Sequence, residues 1–254
     1  MKYEKIVFYG DSFTYGQDSG GDDLYDETKT YPTFFGNKVG KQVVNNAYPG
    51  YSNLAMYYKM RDYTFYSYYN EDKSLLPKTL NIINMSSSLR GTVTNNNKVE
   101  SEHYPYSANL SDQMYKEVRF GTFGPSFPKR KETPHLNDSI DIYYQELDMR
   151  VCLDQYMIML AMKDLAERYD MGIVFVDVLF EKHMLEVSNS FTFNHLNVPF
   201  VDFQNEMGNT CLISSAPDHL RSSKTRHFYE DGYQWMADTV YNKIESEYPH
   251  ILLD

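Results

Sequence analysis

Cysteine is nearly absent from this chain of 254 residues, with only Cys152 and Cys211 present. The two lie far apart and in no ligand-like spacing, which excludes a disulfide framework and a cysteine-based zinc site and leaves free thiols as the expectation. Histidine is sparse too: the seven are scattered, and no i, i+4 pair beside a carboxylate marks a metalloenzyme, so no metal is expected. Positive charge is outweighed, with Lys+Arg 24 against Asp+Glu 35 and a net charge of −11. The basic runs Lys129 to Lys131 and Arg221 to Arg226 are too short for a nucleic-acid stripe, so neither nucleic acid nor an anionic membrane is an expected partner. No apolar run approaches bilayer-spanning length, and Met1 to Lys5 leads straight into a candidate core strand without room for a cleavable apolar signal. The expectation is a soluble protein folded in the cytoplasm.

What is present points to one α/β domain spanning residues 1–254. Short apolar runs at Ile6–Phe8, Val43–Val44, Leu80–Met85 and Gly172–Val178 read as strands, with Val198–Phe203 and Cys211–Ile213 as shorter candidates. Helical patterns lie between them. One runs from the Thr30 cap to Gly40 and a second from Leu54 to about Tyr69, with Leu54, Tyr57, Tyr58, Arg61 and Phe65 near one face. A long one covers Ile142–Tyr169, and the last begins just after His227. Helix followed by apolar run is the repeat of a parallel sheet.

Two segments break the pattern. Asp18 to Thr30 is rich in Gly and Asp and reads as a solvated acidic loop; Asp18, Asp22, Asp23 and Asp26 lack the spacing of an EF-hand calcium loop. Residues 91–141 carry no strong element, yet hold Tyr104, Tyr106, Phe120, Phe123 and Phe127, as a substrate-side or partner-side insertion would. Tyrosine is abundant at 24 residues, which suits sugar or protein surfaces as well as ordinary packing.

The strongest local pattern is Lys5 to Gly16. Its apolar strand ends at Gly10, and open α/β sheets keep their chemistry at that carboxyl edge. Ser12, between Gly10 and Gly16, is placed by the tight turn near backbone N–H groups able to hold an oxyanion.

Gly10-Asp11-Ser12 followed by Phe13-Thr14-Tyr15-Gly16 resembles the first signature block of the SGNH hydrolases, the GDSL esterases and lipases, whose serine is the nucleophile. Asn45-Asn46 at a strand end, then Gly50-Tyr51-Ser52, is similar to the second block, which makes the Gly50 N–H an oxyanion donor. His227, just before a helix that contains Gly232, is similar to the last block, in which the histidine is the general base. The resemblance implies a three-layer α/β/α, flavodoxin-like fold with about five parallel strands and no cofactor. It further implies hydrolysis of a small acyl ester, an O-acetylated carbohydrate being the preferred class.

Two family residues are missing. The third block ends its strand on Gly-x-Asn-Asp, whose asparagine donates to the oxyanion, where this chain has Met85-Ser86-Ser87-Ser88-Leu89-Arg90. Loss of one such donor costs about 2.7–4 kcal/mol unless replaced. Ser86, Ser87, Ser88 and Arg90 are the candidates, with Ser87 taken as donor and Arg90 as a substrate contact. The aspartate three residues before the histidine is here Lys224, which leaves Asp218 as the nearest upstream acid to orient His227, against a solvent-facing turn for the same residue. The two losses keep open a second reading, a non-catalytic module of the same fold used for binding or assembly. The Tyr- and Asn-rich composition is also similar to that of many tailed-bacteriophage proteins, which suits a virion component or a host-modifying enzyme.

Overall fold

A computed structural model describes residues 2–70, 73–86, 91–95, 119–123, 147–179, 196–203 and 211–252. At its centre is a parallel sheet in the order β2-β1-β3-β6-β7. These strands are β1 Lys5–Tyr9, β2 Gln42–Asn45, β3 Thr79–Met85, β6 Gly172–Asp177 and β7 Phe200–Val201. Ile6 to Tyr9 are fully buried, as a central strand covered on both faces requires.

Alternation along the strands sorts their side chains into two cores. Ile6, Phe8, Ile82, Val174 and Val176 face Tyr31 and Phe35 of α2 (Tyr31–Val39) and Tyr233, Met236, Val240 and Ile244 of α6 (Glu230–Glu247). Val7, Tyr9, Ile83, Met85 and Phe175 face Met56 and Met60 of α3 (Asn53–Asn70) and Met159, Met162 and Leu165 of α4 (Leu147–Arg168). The result is the three-layer α/β/α arrangement expected from the sequence. Burying one such large side chain contributes about 1.5–3 kcal/mol.

Helix α3 turns a different face inward from the aromatic one expected from its sequence. Asn53, Met56, Met60, Thr64 and Ser67 are buried, while Phe65, Tyr68 and Tyr69 are exposed. Flexible methionines and small residues let the helix lie close to the strands, and the bulky rings gather at the rim. Cys211 to Ile213 is likewise no strand: Cys211 precedes a short helix, α5 (Leu212–Ser215), because the Ser214 hydroxyl accepts from the Cys211 N–H at 3.0 Å and closes a turn. Within the insertion, where the sequence pattern marks no element, β4 (Gly91–Asn95) and β5 (Arg119–Phe123) form an antiparallel pair. Thr92, Val93, Thr94, Phe120 and Thr122 suit such a ladder.

The strand order reverses at β1, since β2 lies on one side and β3 on the other. Such a switch point opens a crevice beyond the carboxyl ends of β1 and β3. Ser12 and Ser86 follow those two strands.

Candidate active site

The turn after β1 is built from small contacts. Asp11 accepts from the Phe13 N–H at 3.1 Å and so caps α1 (Ser12–Tyr15), which puts Ser12 on its first residue. Gly10 packs against Thr14 so closely that a Cβ there would overlap its side chain. Gly16 ends α1 with φ 96°, a left-handed conformation that glycine adopts without strain. Asn45, at the end of β2, holds this turn from the side: its amide donates to the Thr14 and Tyr15 carbonyls, both at 3.2 Å. Ser12 is only 6% exposed, less open than a position just after a strand suggests.

Gly50 lies in a turn closed by the Tyr51 N–H on the Tyr48 carbonyl at 3.2 Å, with φ 81°. Pro49 followed by a positive-φ glycine is the pattern of a type II turn. The Tyr48 N–H donates to the Gly10 carbonyl at 3.2 Å, which lashes this turn to the one bearing Ser12. Ser52 caps α3 by accepting from the Ala55 N–H at 3.2 Å. Ser52 thus has the capping role, in a segment whose preceding turn is tied to the one bearing Ser12.

At the end of β3, Asn53 grips Ser86 at two points, accepting from its N–H at 2.8 Å and donating to its carbonyl at 3.1 Å. The Ser86 hydroxyl donates to Asp11 at 3.1 Å, so it braces the cap of α1. Ser87, Ser88 and Arg90, the remaining candidates for the missing asparagine, lie outside the described residues.

His227 comes from the opposite end of the chain. Its loop closes on itself through the Ser222 N–H on the His227 carbonyl at 2.7 Å and the Tyr229 N–H on the Leu220 carbonyl at 3.1 Å. Phe13 packs against the imidazole at 5.0 Å between ring centres. His227 Nε2 lies 2.8 Å from Ser12 Oγ, across 215 positions of sequence.

Asp218 lies elsewhere than its reading as the orienting acid requires. It is exposed at the start of a short 3-10 helix, Asp218–Leu220, because the chain folds back only after it, through the bridge between Arg221 and Phe228. The carboxylate that faces His227 is Asp18, whose Oδ2 lies 3.7 Å from Nδ1 and whose side chain is fully buried.

The loop of Asp18 is docked where a solvated loop was expected. Thr225 donates its hydroxyl to Asp18, Ser222 donates to Asp22 at 2.8 Å, Tyr229 donates to Asp22 at 3.0 Å, and Lys224 pairs with Asp23. The hydrogen bonds from Ser222 and then Tyr229 hold the Asp22 carboxyl below its ordinary range against a small opposing effect of burial. Its hydrogen bond with Asp23, and the charge behind it, raises the Lys224 ammonium. Burial, then the nearby charges of Asp18 and Asp11, pushes the Tyr233 phenol well up, so it stays a neutral donor to the Gln17 carbonyl at 2.6 Å. Among the described residues no group of three or more His, Cys, Asp or Glu is arranged to hold a metal ion, and no helix is long and apolar enough to cross a membrane.

Sequence reasoning missed Asp18, Asn53 and Ser222. The one signal toward Asp18 was indirect: Lys224 cannot accept a hydrogen bond, so the acceptor for His227 had to come from elsewhere.

No family model matches the chain, and no curated protein matches it by sequence. Solved structures do match in fold. A protein assigned to the lipolytic G-D-S-L family from Desulfitobacterium hafniense DCB-2 superposes with a TM-score of 0.51 at 14% identity, covering 94% of this chain and 99% of its own. An active-site mutant of a family two carbohydrate esterase from Clostridium thermocellum gives 0.52 at 14% identity, with 96% of this chain but 63% of the esterase covered. TesA gives 0.50 at 7% identity over 98% of this chain and 99% of its own. The likeness is one of fold, at identities too low to carry an activity across.

Proposed function

We propose that this chain is a serine ester hydrolase of the SGNH type, with Ser12 as nucleophile and His227 as general base. The observation that carries the reading is the 2.8 Å contact between Ser12 Oγ and His227 Nε2 at the switch point of the sheet. A serine hydroxyl is a weak nucleophile and needs a base at this distance. Nε2 takes the proton as Oγ attacks the ester carbonyl, and the carbonyl oxygen becomes an oxyanion. The N–H groups of Ser12 and Gly50 are the proposed donors to that oxygen. Collapse of the tetrahedral adduct releases the alcohol, which takes the proton from His227, and leaves Ser12 acylated. Water, deprotonated by His227, then repeats the attack and frees the acid.

The substrate class proposed is a small acyl ester, with O-acetyl groups on a carbohydrate preferred. Support comes from the fold shared with a carbohydrate esterase and from the tyrosines about the turn of Gly50, where Tyr15 stacks on Tyr25 at 4.6 Å and Tyr48 meets Tyr51 at 5.5 Å. Rings of this kind offer apolar faces to a sugar.

One observation favours the rival, a module of this fold without turnover. Ser86 commits its hydroxyl to Asp11, so among the described residues at the end of β3 no side chain takes over from the family asparagine. Hydrolysis of p-nitrophenyl acetate and of acetylated xylo-oligosaccharides separates the two readings. Turnover by the parent and a fall of about 10⁶ in kcat for Ser12→Ala, with an unchanged circular dichroism spectrum, is the expected result. Equal rates for parent and variant would favour the binding module.

A further inference from the structure

We infer that Asp18, six residues after Ser12, is the positioning carboxylate of His227, and that the acidic loop carrying it works as a clasp on the histidine loop. The inference rests on the Ser12–His227 reading and adds the residue that holds the base in its working form.

Four observations converge on it. Asp18 Oδ2 lies 3.7 Å from Nδ1, on the side of the ring away from Ser12. The carboxylate is fully shielded from water, so its field on the ring is weakly screened. Its place is fixed from both sides: Oδ1 accepts from the Asp23 N–H at 3.0 Å, and Oδ2 accepts from the Thr225 hydroxyl, two residues before His227. Finally, Asp18 itself has φ 67°, a left-handed backbone that non-glycine residues adopt rarely and that here turns its side chain into the protein.

The chemistry follows from the tautomer. For Nε2 to accept the proton of Ser12, the ring proton must sit on Nδ1, and a carboxylate facing Nδ1 favours that form and then the imidazolium. The distance is longer than a hydrogen bond, as such contacts often are before substrate is bound. Lys224, which stands where the family carries its acid, acts in the opposite sense, since it binds Asp23 and helps hold the loop that delivers Asp18. The acid has thus moved from the histidine's own loop to the loop after the serine, and the cation left behind ties the two loops together.

The test is nuclear magnetic resonance titration of the His227 ring in the parent, in Asp18→Asn and in Asp22→Asn, which needs no substrate. Asparagine tolerates the left-handed backbone and keeps an acceptor for the Asp23 N–H, so Asp18→Asn should fold. Asp22→Asn weakens the clasp, through Ser222 and Tyr229, without touching the charge at Nδ1. The other ionisable groups of the two loops and of the elements packed on them are unchanged in both variants: Lys224 and Asp23 on the clasp, Asp11 at the cap of α1, and Tyr233 from α6. The parent should show the proton on Nδ1. In Asp18→Asn the ring should titrate clearly lower, as losing an opposite charge within about 4–6 Å requires, while Asp22→Asn, which loosens the clasp but keeps the charge facing Nδ1, should shift it by less. Where the parent turns over p-nitrophenyl acetate, Asp18→Asn should lose about 10⁴ in kcat with little change in KM. An unchanged tautomer and titration in Asp18→Asn, or an equal shift in Asp22→Asn, would overturn the inference. Absence of turnover in the parent would instead count against the hydrolase reading, and the titration alone would then decide the role of Asp18.

Discussion

The two halves of the site are held in opposite ways. Around Ser12, nearly every restraint is local or comes from a neighbouring strand end: the Asp11 cap, the close approach of Gly10 to Thr14, the left-handed Gly16, and Asn45 bonded to the last carbonyls of α1. Around His227 the loop first closes on itself through backbone hydrogen bonds and is then held by side chains about 200 positions away, namely Asp18 on Thr225, Asp22 on Ser222 and Asp23 on Lys224. A tight turn after a buried strand is a rigid base that the sheet already orders. A loop before a terminal helix has no strand to fix it and needs a second loop to hold its register. The fold therefore places the serine with its own turn and a neighbouring strand end, and the histidine with a second loop distant in sequence.

The contrast predicts that the serine half fails through packing and the histidine half through alignment. Gly10→Ala should have the larger effect, since its methyl overlaps the Thr14 side chain and the turn must shift to admit it. Overpacking of this kind costs about 1–3 kcal/mol, so thermal unfolding should shift clearly downward and ester turnover should fall with it. A variant as stable as the parent would show that the turn yields more than its packing implies. Ser222→Ala should act more narrowly. It removes the bond to Asp22 and the acceptor for the Lys224 and Thr225 N–H groups, both at 3.2 Å, so the histidine loop loses register. A misplacement of about 1 Å costs up to about 10² in rate, so kcat should fall more than stability does, read by comparing turnover with the melting curve. Equal proportional losses in both would erase the distinction between the halves.

The same contrast explains what could be read from the chain. Ile6–Phe8, Gly10, Ser12 and Gly16 form a contiguous pattern whose physics is local, so the strand, the turn and the exposed edge of the sheet follow from order alone. The turn at Gly50 and the helix that starts soon after His227 were legible for the same reason, since each carries a clear local signature. Asp18 was hidden among four similar acids, and only the folded chain singles out the one whose backbone turns inward. Asp218 had proximity in sequence in its favour, but the fold-back begins after it and leaves it in water. Cys211–Ile213 was too short for periodicity to choose between strand and helix, and the Ser214 side chain decided it. In α3 the aromatic residues dominated the pattern, while the core selected Met56 and Met60, whose unbranched chains fit closer to the sheet.

Whether Ser12 is an activated nucleophile can be asked without the natural substrate, by labelling with a small fluorophosphonate and locating the modified peptide by mass spectrometry. One adduct is expected, on Ser12, with labelling slowed by at least about 10² in His227→Ala, the lower end of what a positioned base contributes. An adduct on another residue, or labelling of Ser12 at the same rate without His227, would refute the pairing of serine and histidine on which the proposed chemistry stands.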